Sequence, residues 1–306
     1  MSKSTTHSGG DGVSLVQPWF QRPEFEDEID GAGLSGDEKA LARQLRTEGF
    51  AIVDLLGDKD DSFFDAFIKS LGEGYLSSGR ATDLWKKNSF VRDLACHQRI
   101  LDLLAKFYGR EPFPFQTLNF PRGSEQLAHS DTIHFNCVLG HFMCGVWVAL
   151  QDVTTRNGPL VYYPGSHNLP VYSLSDIGVV GSLLHGRELY SDKYEPFIQH
   201  LVKTAGLAPA ELEIKRGQAL IWAANLLHGG SPILDKGSTR HSQVTHYYFH
   251  DCAYYTPFRS DLMLKKILYR NPYNILTGRR VRSTYFGRKI PFSLVRKLVE
   301  LKQDYL

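Results

Sequence analysis

The residues with the most chemical potential lie in the segment Leu127-Ala128-His129-Ser130-Asp131-Thr132. In extended backbone, positions i and i+2 point to the same side. His129 and Asp131 can therefore offer an imidazole and a carboxylate to one metal ion. A His-x-Asp alone is more often a surface or turn pair, so a third ligand must come from elsewhere. His228 qualifies, because it lies just beyond the apolar run Ala219 to Ala223 and is followed by Gly229 and Gly230. Two histidines and one carboxylate leave positions open on one side of the metal, the arrangement of non-haem Fe(II) oxygenases. Further on, Arg240, Ser242, Val244 and His246 alternate onto one face of an expected strand. A hairpin from His228 to Arg240 would bring a guanidinium and a hydroxyl near the metal. A guanidinium clamps a carboxylate bidentately. The set fits a co-substrate that chelates iron at one end and carries a carboxylate at the other, which is 2-oxoglutarate.

Such a site needs a scaffold of short strands. From Pro112 onward, strand-like runs alternate with turn residues: Phe113 to Phe120, Met143 to Asp152, Leu160 to Pro164, Leu212 to Ile214, Ala219 to Ala223 and Arg240 to Asp251. Pro121-Arg122-Gly123, Asn157-Gly158-Pro159, Lys215-Arg216-Gly217 and Asp235-Lys236-Gly237 separate them. Many short strands broken by turns predict a β-barrel or sandwich. Before them, the pattern predicts helices over Ser35 to Arg46, Phe63 to Leu71 and Gln98 to Tyr108. Ser35 and Glu38 are spaced as a capping box for the first of these, which leads into a short buried strand at Phe50. A segment at about 170–210 interrupts the strands and carries an expected helix, Tyr194 to Ala205. The order gives one α+β domain, mainly β, over 23–306, preceded by a polar tail over 1–22 that is expected to be disordered.

Composition narrows the function classes. The 306 residues carry 35 Lys+Arg against 33 Asp+Glu, a net charge of +2, which gives no global electrostatic case for nucleic acid. No window approaches the roughly 18 consecutive apolar residues of a membrane helix. The polar N-terminus does not read as a signal peptide. Four cysteines without CxxC spacing make neither a disulfide framework nor a zinc ribbon. The expected setting is cytoplasmic.

At the level of motifs the chain resembles the phytanoyl-CoA dioxygenase family of Fe(II)/2-oxoglutarate oxygenases. The resemblance runs from about Glu48 to His250. It rests on Glu48-Gly49-Phe50-Ala51-Ile52-Val53, on His129-Ser130-Asp131, on Gly145 to Val153, on Asn157-Gly158-Pro159-Leu160, on Pro164-Gly165-Ser166-His167, and on His228 with Arg240 and Ser242. It implies a double-stranded β-helix, or jelly roll, of cupin-like form, backed by helices. It implies His129, Asp131 and His228 as iron ligands, and Arg240 with Ser242 as the seat of the distal carboxylate of 2-oxoglutarate. Trp147 and Asn119 stand where the family would place co-substrate contacts, with Gln116 as a further candidate for co-substrate or substrate. The implied reaction consumes 2-oxoglutarate and O2, releases succinate and CO2, and hydroxylates or otherwise oxidises a C–H bond of a small molecule. Related halogenases have a small residue in place of the carboxylate, so Asp131 points to oxygenation.

Two other readings use the same residues. A jelly-roll binding protein without catalysis leaves the full set of His129, Asp131, His228 and Arg240 unexplained. A zinc hydrolase built on His129, Asp131 and His134 leaves Arg240 and Ser242 without a task. The substrate is not encoded in any motif. Eight basic residues against Glu300 between Arg279 and Lys302 suit either a solvated helix face or an anionic substrate handle.

Overall fold

The computed structural model describes residues 16–182 and 188–291. Its helices are α1 Phe25–Glu28, α2 Gly36–Glu48, α3 Asp61–Ser70, α4 Glu73–Ser77, α5 Ser89–Ala95, α6 Gln98–Tyr108 and α7 Glu195–Thr204. The strands that build the core are β1 Phe50–Asp54, β2 Ala81–Thr82, β3 Pro112–Phe120, β4 Asn136–Val138, β5 Met143–Ala149, β6 Leu160–Tyr162, β7 Ala210–Glu211, β8 Gln218–Ala223, β9 His228–Gly230, β10 Ser242–Phe249 and β11 Ala253–Tyr255.

Six strands form an antiparallel sheet in the order β1-β8-β5-β10-β3-β2, and a smaller sheet, β7-β6-β9, faces it. Because side chains alternate across a strand, each main-sheet strand contributes to two layers. Ala51, Val53, Val146, Val148, Ala219 and Ile221 join the helices in one apolar core. Phe50, Trp147, Leu220, Trp222 and Val244 turn the other way and meet Leu160 and Tyr162 of the small sheet. The result is a jelly roll whose outer face is covered by helices. The entry into β1 follows from local chemistry. The Ser35 hydroxyl accepts from the Glu38 amide while Glu38 accepts from the Ser35 amide, which closes the capping box. Such a cap stabilises a helix by about 1 kcal/mol. Gly49, at φ 83°, ends α2 in the left-handed conformation that favours glycine.

Four expectations change. The polar tail was expected to run to residue 22, but Trp19 and Phe20 already pack in the helix-side core, since two large aromatics outweigh the polar residues around them. The expected strand at Leu212 to Ile214 is instead β7 plus a single bridge from Ile214 to Val153. No hairpin joins His228 to Arg240, because β9 pairs with β6 while β10 pairs with β3 and β5, so the two residues belong to different sheets. Asn119 lies on the helix-covered face, as set out below. The expected C-terminal helix, with the basic residues beyond 291, falls outside the described residues.

Candidate metal centre

His129 and His228 meet through their backbones before their side chains matter. Each donates its amide to the other's carbonyl, at 2.9 and 3.0 Å, forming an isolated antiparallel bridge between the segment after β3 and β9. In each ring Nδ1 lies 3.0 Å from a carbonyl two residues back, Leu127 O for His129 and Leu226 O for His228. Carbonyls only accept, so both Nδ1 atoms carry the proton and both Nε2 lone pairs are left free, the tautomer a metal ligand needs. Asp131 follows Ser130, whose extended backbone aims the carboxylate to the same side, and it opens a short 3-10 turn to Ile133. Its Oδ1 lies 4.0 Å from His129 Nε2 and its Oδ2 3.9 Å from His228 Nε2. The three candidate ligand atoms lie within 4.8 Å of one another, and all three residues are buried.

Burial first, then the neighbouring His228, pushes the His129 imidazole down to about 3. It is therefore neutral at neutral pH and available as a ligand. Burial by itself would raise the Asp131 carboxyl, but the facing His228 and His246 outweigh it and hold the group well below the usual carboxylate range. A carboxylate held in this way stays charged and needs donors. Trp222 Nε1 donates to Oδ2 at 2.9 Å, and His246 Nε2 lies 3.4 Å from the same oxygen. His246 is fixed from behind by Gln116, whose Oε1 is 3.0 Å from His246 Nδ1.

A second group of polar atoms surrounds Arg240. This side chain is 2% exposed, and its Nη1 donates to Gly158 O at 2.9 Å. Its guanidinium lies 5.4 Å from the centre of the Trp147 ring. Burial pulls the guanidinium down to about 10, which leaves it charged at neutral pH. Among the described residues no carboxylate pairs with it, and Arg240 Nε, Ser242 Oγ and Trp147 Nε1 are buried without hydrogen-bond partners. A buried cation without a counter-ion is costly, and three orphaned polar atoms add to that cost. An anion that accepts from them would remove it. A dicarboxylate co-substrate has the required chemistry, so the residues present fit 2-oxoglutarate.

The strand register places the expected residues. Ser242, Val244 and His246 lie opposite Phe120, Leu118 and Gln116 on β3, and opposite Ala149, Trp147 and Gly145 on β5, all on the inner face. Gln116 and Trp147 are thus inside. Asn119 lies opposite Gln243 on the outer face, where its Nδ2 donates to Gln243 Oε1 at 3.2 Å and Gln243 Nε2 donates to Val91 O of α5. Asn119 belongs to a polar cluster under the helices, which corrects its expected contact with a co-substrate. His134 packs on Tyr190, with ring centres 5.0 Å apart. His167 Nε2 reaches Arg46 O at 2.9 Å in a purely structural turn.

Sequence reasoning missed Trp222 and Gly145. Trp222 sits in an apolar run that reads as plain core, although a buried indole N–H requires an acceptor. Gly145 lies directly opposite Trp222 on β5, and a Cβ there would come within 2.1 Å of the indole ring.

A helix-backed jelly roll carrying two histidines and a carboxylate on its inner face defines the class of Fe(II)/2-oxoglutarate oxygenases. A match to the phytanoyl-CoA dioxygenase (PhyH) family covers residues 73–242, more than half of the chain, and the chain belongs to that family. It is an oxygenase-class enzyme using Fe(II), 2-oxoglutarate and O2. No curated protein sequence matches it. Solved structures share the fold at low identity. SnoK, a non-haem α-ketoglutarate-dependent carbocyclase from nogalamycin biosynthesis, is 17% identical with a TM-score of 0.57, over 78% of this chain and 93% of that one. SnoN, an epimerase from the same biosynthesis, is 20% identical with a TM-score of 0.54, over 71% and 85%. EctD from S. alaskensis, solved with 2-oxoglutarate and 5-hydroxyectoine, is 16% identical with a TM-score of 0.55, over 84% and 87%.

Proposed function

We propose that His129, Asp131 and His228 hold the Fe(II), that Arg240 and Ser242 hold the distal carboxylate of 2-oxoglutarate beside Trp147, and that the enzyme oxidises a C–H bond of a small-molecule substrate. The observation that carries this reading is the buried Arg240, a cation without a counter-ion among the described residues, on the inner face of the same barrel as the His-Asp-His cluster. Iron with 2-oxoglutarate and O2 supplies the oxidising power, with succinate and CO2 as by-products. The chain contributes binding and position. Bridged backbones and protonated Nδ1 atoms aim both imidazoles. Trp222 occupies Oδ2 of Asp131, which leaves Oδ1 as the freer ligand atom. Phe120, Leu220 and Val244 pack in the apolar layer between the two sheets.

Asp131 favours oxygenation over halogenation, because its carboxylate fills the position a halide would take. Hydroxylation is the first outcome. Ring closure and epimerisation remain within the same chemistry, as the names of SnoK and SnoN illustrate for those proteins. Four free cysteines suit a cytoplasmic enzyme, and among the described residues no helix is long and apolar enough to cross a membrane. The test is anaerobic titration of the Fe(II)-loaded protein with 2-oxoglutarate. A visible charge-transfer band that saturates at one equivalent supports the reading. No band, with iron bound, would overturn it.

A further inference from the structure

A cavity of about 140 Å³ lies beside the middle of β3, walled by Trp85, Phe115, Gln116, Arg270, Asn271 and Tyr273. One wall residue connects it to the metal centre. Gln116 bonds His246 at 3.0 Å, and His246 lies 3.4 Å from Asp131, so two side chains separate the cavity from the candidate metal carboxylate. The opposite wall comes from the segment after β11, which carries Arg270 and Tyr273.

Among the described residues that line the cavity, Asp83 is the one acid, and Lys86 and Arg270 are cations. Asp83 is already engaged, since its Oδ1 accepts from Trp85 Nε1 and the Thr117 amide at 3.1 Å each, and its Oδ2 lies 3.7 Å from Lys86 Nζ. Arg270 is placed by a contact with the Phe135 ring, 5.0 Å from its centre, and by a 3.1 Å bond from Nη1 to Thr256 Oγ1. Its Nε is buried without a partner. A fixed planar guanidinium with donors to spare matches an oxyanion better than a neutral group. The rings of Trp85 and Tyr273, with centres 5.4 Å apart, give an apolar flank to whatever the cation holds. The space is smaller than the ~300–1,000 Å³ of typical drug-sized ligand pockets. It has room for a headgroup and a short chain, and a coenzyme-sized molecule would lie mostly outside.

We infer that this cavity takes the carboxylate or phosphate end of the oxidised substrate, with Arg270 as the residue that selects for the anion. The apolar part of the substrate then passes Gln116 and His246 toward the metal. The word substrate rests on the iron and 2-oxoglutarate reading above, whereas the anion site itself does not.

Calorimetric titration of the full chain with benzoate and phenyl phosphate, and with benzamide and phenol as neutral counterparts, tests the site. At least one anion should bind, and the neutral molecules should not. Arg270→Gln should weaken that anion by at least about tenfold, with Arg270→Lys in between as a control that keeps the charge and the folded packing. Preference for benzoate or for phenyl phosphate identifies the oxyanion. No binding of either anion, or equal binding by wild type and both variants, would overturn the site. In the anaerobic Fe(II)- and 2-oxoglutarate-loaded protein the bound anion should shift the charge-transfer band. An anion that binds at Arg270 and leaves an existing band unmoved overturns the substrate assignment. Failure to form any band counts against the iron reading alone, because the calorimetric comparison requires no iron.

Discussion

Gly145 and Trp222 face each other on adjacent strands, and the indole occupies the space that any side chain at 145 would need. That space lets Trp222 Nε1 reach Asp131. Trp222→Phe keeps the ring and removes the donor. Partners behind a metal ligand are typically worth about 10–100-fold in metal affinity, so Mn(II) binding read by electron paramagnetic resonance should weaken by that order with the fold intact. Gly145→Ala should do more, by displacing the ring itself. Unchanged Mn(II) affinity in Trp222→Phe would show that the indole does not support the carboxylate.

Arg240→Ala should cost 2-oxoglutarate about 2–5 kcal/mol of binding, the range for leaving a buried charged partner unpaired. Metal affinity should be little changed, because Arg240 is not among the candidate ligands. Titration of the charge-transfer band measures the first effect and calorimetry with Mn(II) the second. Equal 2-oxoglutarate affinity in variant and wild type would move the clamp to another residue.

Gly229→Ala tests the bridge between the two histidines. A methyl there would meet Gln126 O at 2.6 Å, so the segment leading to His129 must move away from β9. The expected result is a folded protein by circular dichroism that no longer binds one metal ion per chain. Full metal binding in a folded variant would count against this role.

Acid should destabilise the metal-free protein before it titrates most carboxylates. His129 and His134 sit at about 3 and about 4, pushed down first by burial, against an ordinary value of roughly 6.5. Between those values the unfolded chain binds protons that the folded chain refuses. The stability is thus present above about pH 6.5 and is lost as pH falls toward about 4. Melting temperatures of chelator-treated protein across that window should fall steadily. A flat profile would mean that these imidazoles are solvated.

High chloride should give no chlorinated product, because Asp131 retains its carboxylate. Mass spectrometry of the product under 18O2 checks this once a substrate is found. Incorporated label means hydroxylation, and unlabelled product directs attention to ring closure or epimerisation.

Several of these residues were readable from one dimension. His129 and Asp131 are two apart, and Ser130 is extended between them, so the side-chain parity of a strand applied. The same parity was available for β3 and excludes Asn119. Gln116 and Asn119 are three apart on one strand and cannot share a face, and the register puts only Gln116 inside. Helix α2 was legible because its capping box is local. Trp222 was not, because its partner lies 91 residues away and nothing near it signals a polar task. That His228 lies on a strand of one sheet and Arg240 leads into a strand of the other depends on which strands pair, which no local pattern encodes.

The backbone bridge between His129 and His228 has a consequence for the identity of the metal. Two main-chain hydrogen bonds hold the histidines together without any ion, so filling the site does not have to close a cage around it. A cage that does not close cannot reject ions by refusing to fold. On the proposed triad, other first-row divalent ions should therefore enter on the same imidazoles, ranked by the intrinsic order Mn(II) < Fe(II) < Co(II) < Ni(II). Which ion the enzyme carries in a cell then depends on which is available when it is loaded, and an emptied protein can be recharged without passing through an unfolded state.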